Sequence, residues 1–121
     1  MKLGEVRTFQ RITWKEWVRK FYKEGKEYTF GVMRIWKPMR YPSYRLDLIE
    51  LETKTRVTRT VKKEVGDELM KELHSKGQGV AMRLKITKDG EVVTEYVDAK
   101  DYIYADTGRC WQLQKKDEVP F

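Results

Sequence analysis

Val80, Met82, Leu84 and Ile86 alternate strictly with Ala81, Arg83 and Lys85, and Asp89-Gly90 follows three residues later. A period of two means one face of a strand is buried and the other is not. Asp-Gly after such a run is a tight hairpin signal, because glycine takes the left-handed backbone that a short loop needs. A second strand is therefore expected over Glu91 to Val97, antiparallel to the first, with Tyr102 to Ala105 as its extension. This hairpin commits the chain to a sheet with one buried face.

Three more strands are expected upstream. The first runs from about Tyr28 to Trp36. Lys37-Pro38-Met39-Arg40-Tyr41-Pro42-Ser43 then interrupts with two prolines and reads as a loop. The second spans about Tyr44 to Glu52, with an apolar phase slip between Leu48 and Ile49 that predicts a bulge. The third covers about Arg56 to Lys63. A short helix precedes the hairpin, with Asp67 as N-cap, Leu69, Met70 and Leu73 inward, and Gly77 as its stop. Another helix is expected near the N-terminus, over 13–25. Thr13-Trp14-Lys15-Glu16 has the form of a capping box, and Trp14, Trp17, Val18, Phe21 and Tyr22 recur at helical spacing. That aromatic stripe reads as core. Lys15, Arg19 and Lys23 form a basic ridge on another face.

Three strands, a helix and a closing hairpin is the order of the OB-fold, a five-stranded, partly open barrel used for oligonucleotides. The expected class is thus mainly β: an OB-fold-like barrel with an extra N-terminal helix and a short C-terminal tail. The domain is expected over 1–108 and the tail over 109–121. At 121 residues the chain has the length of one domain.

Charge is distributed unevenly. Residues 1–64 carry 17 Lys/Arg and eight Asp/Glu, whereas residues 65–121 carry nine and 11. A basic half rich in aromatics suits a polyanion. A single-strand binder needs cations for phosphates and flat rings for bases. In an OB-fold these sit on the second and third strands and on flanking loops. Around the first loop the candidates are Arg34, Trp36, Lys37, Arg40 and Tyr41. Tyr44, Arg45, Arg56 and Lys62 follow on strands two and three, and Arg83 and Lys85 on strand four. Arg59 shares phase with Val57 and Val61, so either it stands at the barrel rim or the register of this strand differs there.

Other chemistries find little support. The single Cys110 cannot form an internal disulfide, and with one histidine, His74, there is no zinc-ligand cluster. The eight glycines are scattered, so no phosphate-cradling loop stands out. No apolar run has membrane-spanning length, and residues 1–7 lack a signal-peptide core. The expectation is a non-enzymatic, cytoplasmic, nucleoid-associated protein without cofactor. A weaker reading is a metal-dependent nuclease built on Asp89, Glu95, Asp98 and Lys100.

The chain closes on Asp117-Glu118-Val119-Pro120-Phe121. A terminal phenylalanine can fill an apolar pocket while the carboxylate meets a cation on its rim, and Pro120 lowers the entropy lost on docking. This tip resembles that of bacterial-type single-stranded DNA-binding proteins, where an acidic run ends in Ile/Leu-Pro-Phe. The resemblance covers these five residues and the strand order. It implies a protein that coats single-stranded DNA and recruits replication or repair partners through 117–121. RNA is the alternative ligand, and a homo-oligomer is compatible with the sequence. The chain departs from the family in its short linker, in Lys115 and Lys116 before the acids, in its tight fourth-to-fifth-strand hairpin, and in its N-terminal helix.

Overall fold

The computed structural model describes residues 11–38, 40, 42–77, 79–99, 104–106 and 110–113. They form β1 (Ile12–Thr13), α1 (Trp14–Phe21), β2 (Tyr28–Trp36), β3 (Tyr44–Glu50), β4 (Arg56–Val61), α2 (Lys63–Lys76), β5 (Val80–Ile86), β6 (Val92–Asp98), β7 (Tyr104–Asp106) and β8 (Cys110–Leu113). The strands make one sheet in the order β1-β4-β3-β2-β5-β6, with β8 against the far half of β2 and β7 against β8. All pairings are antiparallel except β1 with β4. The class is mixed α/β with an open sheet. The expected barrel is not closed: the end strands β4 and β6 do not pair among the described residues, and β4 pairs with β1 instead.

β2 organises the sheet. It pairs with β3 along most of its length, with β5 over Tyr28–Gly31 and with β8 over Arg34–Trp36. The change of neighbour falls at a register shift between Val32 and Arg34, where Met33 is the extra residue. A bulge bends the strand and lets each half meet a different partner. The bulge expected in the second strand is therefore in the first. The apolar phase slip in β3 has another cause: Leu48 is buried on the core face, and Ile49, paired with Gly31, is buried on the opposite one.

The core lies between one face of the sheet and the two helices. Phe30, Val32, Ile35, Leu46, Leu48, Val57, Met82 and Trp111 are at most 1% exposed, and Trp17 joins them from α1. Trp17 meets Tyr28 and Phe30 edge-on, each at 4.9 Å. The capping box forms as expected: Glu16 N donates to Thr13 Oγ1 at 3.2 Å, and Thr13 N donates to Glu16 Oε1 at 3.1 Å. α1 ends at Phe21 rather than Gly25, because Tyr28 Oη donates to the Phe21 carbonyl and accepts from Lys23 N.

α2 starts at Lys63, four residues before the expected N-cap. Asp67 lies inside the helix, where its carboxylate accepts from Tyr44 Oη at 2.7 Å and Lys63 Nζ at 2.9 Å. Gly66 lets the helix lie against β3: a Cβ there would overlap the Tyr44 ring. Gly77 closes the helix as expected, with φ of 76°. The β5–β6 hairpin also forms as expected. Gly90 has φ of 87°, and Thr87 N donates to the Glu91 carbonyl at 2.8 Å.

Two expectations at the C-terminal side change. Tyr104–Asp106 is a separate strand, β7, rather than an extension of β6. Cys110–Leu113 belongs to the sheet, with Trp111 fully buried opposite Ile35, so the domain runs through Leu113 and not to 108. The tip, Asp117–Phe121, lies outside the described residues, as does Tyr41. No helix among the described residues is long and apolar enough to cross a membrane.

Candidate nucleic-acid interface

β1 pairs with β4 for only two residues, Ile12 with Val57 and Thr13 with Thr58. Thr13 then caps α1, and the helix leaves the sheet edge. The space opened beside Thr58–Thr60 is a groove of about 650 Å³, lined by Thr13, Trp14, Lys15, Arg45, Thr58, Arg59 and Thr60. A smaller recess of about 170 Å³ continues from it, sharing Arg45 and Thr60 and adding Pro38 and Ser43 from the loop after β2 and Tyr44 at the start of β3. Among the described residues, three cations line the larger groove and no carboxylate does.

Local geometry explains each cation. Arg45 is exposed because β3 alternation turns it away from the buried Tyr44 and Leu46. Arg59 is in register with Leu46, on the core face, as its phase with the valines suggests. It avoids the core by folding over Trp14, with Cζ 4.5 Å from the ring centroid. Burial pulls its pKa below the ordinary guanidinium value, and among the described residues no carboxylate pairs with it. Lys15 is exposed on the first turn of α1.

Arg34, Trp36 and Arg45 share the sheet face opposite the core, since Trp36 pairs with Arg45 and Arg34 with Asp47. Cζ of Arg34 is 4.3 Å and Cζ of Arg45 is 5.5 Å from the Trp36 ring centroid. The ring expected to stack on a base is thus already packed against guanidinium groups. Asp47 is buried on this face and lies 3.7 Å from Arg11.

Several expected site residues fall elsewhere. Tyr44 is 5% exposed with its hydroxyl committed to Asp67, so it is a core residue and offers no open ring. Arg83 is held by Glu95 at 2.6 Å, and Lys85 lies 3.7 Å from Glu27 and 4.0 Å from Glu95. Their charges are offset by Glu95 across the β5–β6 hairpin and, for Lys85, by Glu27 just before β2. Arg56 pairs with Ile49, beyond the residues that line the groove. Lys62 is exposed at the N-cap of α2, Lys37 is half-buried and Arg40 is exposed in the loop; none of the three lines the groove.

Trp14, Lys15, Thr58 and Thr60 were not among the expected binding residues. Alternation does turn Thr58 and Thr60 away from the core, and Lys15 stands on the basic ridge. Nothing in the sequence indicates that β1 and the start of α1 close over the edge of β4. For the nuclease reading, Glu95 is engaged by Arg83, Asp89 lies in the hairpin turn, and Lys100 is outside the described residues. Among the described residues no group of three His, Cys, Asp or Glu is placed to hold a metal ion.

Tyr44 gives a pH-dependent handle on this region. Burial, then its hydrogen bond to Asp67, raises its pKa from 10.0 to about 12. A raised phenol pKa favours the protonated form in the fold. Its contribution to stability is complete below pH 10 and is lost as pH climbs toward about 12. Tyr44→Phe is expected to flatten that part of the decline, measured as the denaturant midpoint against pH.

Comparison of the chain with family models, curated proteins and solved structures gave no match.

Proposed function

We propose that this protein binds single-stranded nucleic acid, DNA by preference, in the groove between α1 and the edge of β4. The observation that carries the reading is the groove's charge: Lys15, Arg45 and Arg59 line it, with no carboxylate among the described lining residues, beside the loop after β2. Polyanion binding draws on such cations through counterion release. Trp14 lines the groove beside these cations and offers an aromatic face, which a single strand with unpaired bases can use and a duplex cannot.

The strand order supports an OB-fold relationship. Taken from β2, the five strands run β4-β3-β2-β5-β6 with α2 between the third and fourth in sequence. In this reading the barrel is left open between β4 and β6, and the binding face is the one on β3 and β4 that OB-folds use. The tip, 117–121, would recruit replication or repair proteins, as its resemblance implies. Partner capture by the full chain and loss of capture on deleting 117–121, with single-strand affinity kept, tests that role.

The ligand is tested by competition between matched DNA and RNA oligomers at two salt concentrations. Salt-sensitive binding won by DNA supports the proposal. Preference for RNA would replace DNA as the ligand, and binding indifferent to salt would contradict the groove itself.

A further inference from the structure

β6 is an outer strand of the sheet. It pairs with β5 over all seven residues and, among the described residues, with nothing on its other side. Such edges are normally guarded by lysine, proline, a bulge or a covering segment, because unpaired N–H and C=O groups invite another strand. The edge of β4 is partly covered by β1. Among the described residues β6 has no such guard. Its register with β5 is continuous, and Val92-Val93-Thr94-Glu95-Tyr96-Val97-Asp98 holds neither lysine nor proline. Val92 and Val93 are 39% and 37% exposed. Glu95, the mid-strand charge, lies 2.6 Å from Arg83 and 4.0 Å from Lys85, so its repulsive effect at the edge is spent.

We propose that β6 pairs with β6 of a second copy of this chain, antiparallel about a two-fold axis through Thr94. The residue pattern is self-complementary in that register. Val92 falls opposite Tyr96 of the second copy, an aromatic and β-branched pair of the kind that stabilises sheets. Val93 falls opposite Glu95 of the second copy, which keeps the two Glu95 carboxylates apart. β5 pairs Lys85 with Val93 and Arg83 with Glu95. The outer-face row therefore reads Lys85, Val93, then Glu95 and Arg83 of the second copy, so the charges alternate with no like pair adjacent. A two-fold axis at Glu95 would instead oppose the two carboxylates. Such an interface uses the same patch on both copies and closes at a dimer. It lies at the other end of the sheet from the groove.

Light scattering coupled to size-exclusion chromatography tests this at micromolar protein. The expected mass is twice that of the 14.6 kDa chain. Thr94 is exposed, so a charge there is tolerated by the single copy. Thr94→Lys and Thr94→Glu should each run at the mass of one chain with an unchanged circular dichroism spectrum. An equimolar mixture of the two variants should restore the doubled mass, because unlike charges then meet at the axis. A wild-type mass of one chain would overturn the proposal. So would a doubled mass retained by Thr94→Lys, or a mixture that stays at the mass of one chain.

Discussion

Trp17→Ala is expected to lower the unfolding free energy by about 3–5 kcal/mol, the cost of truncating a buried aromatic and leaving its cavity. Trp17 is 1% exposed and is the one α1 side chain fully buried in the core, with Trp14 and Val18 packed partly buried beside it. Its ring centroid lies 4.9 Å from those of Tyr28 and Phe30, 6.0 Å from that of Trp14 and 6.4 Å from that of Phe21. An eight-residue helix has no stability of its own and persists only while its apolar face is packed. Losing Trp17 therefore loosens Trp14 and Lys15 as well, and with them one wall of the groove. Single-strand affinity should fall although Trp17 does not line the groove. Trp17→Phe should recover much of both losses. Denaturant unfolding and oligomer titration on the same variants check this; a cost below about 1 kcal/mol would mean that α1 contributes little packing.

The second large effect is on binding alone. Arg45→Ala combined with Arg59→Ala is expected to weaken single-strand binding about ten- to hundredfold, as charge-assisted hydrogen bonds to phosphate are lost. The slope of log affinity against log salt should shrink by about 1.4, since each phosphate contact on a single strand contributes about 0.7. Arg59 also packs on Trp14, so its truncation carries a stability cost that Arg45→Ala does not. The contrast is the double variant Arg83→Ala with Lys85→Ala. Both cations are already paired with Glu95 or Glu27, so affinity and salt slope should stay close to wild type. If the two double variants behaved alike, the groove would have no special place and total charge alone would govern binding.

The strength of local signals decided what could be read from the chain. The Val80–Ile86 alternation with Asp89-Gly90, the Thr13–Glu16 capping box and the Gly77 stop depend on neighbouring residues only, and each forms as expected. The α2 boundary shows a signal overridden by tertiary contact. Asp67 has the chemistry of an N-cap, but the Tyr44 hydroxyl and Lys63 engage its carboxylate from within the helix. The β2 bulge and the β8 strand rest on pairings between residues far apart in sequence, which periodicity does not reveal.

The site was legible in part for the same reason. Arg45 and Arg59 stand where alternation and phase put them. Arg83 and Lys85 also point outward, yet Glu95 and Glu27 sit beside them in the folded sheet. Trp36 lies on the expected face, but Arg34 and Arg45 stack on its ring. Opposite charges brought together by strand register, and a groove closed by a two-residue parallel pairing, are products of the fold and have no local signature.

Fluorescence anisotropy of a labelled oligo-dT, titrated with the full chain beside a duplex of equal length, decides whether the groove takes a single strand. Saturable binding of the single strand that weakens as salt rises is expected, with the duplex bound much less tightly. Equal affinity for single strand and duplex, or no binding to either, would contradict it.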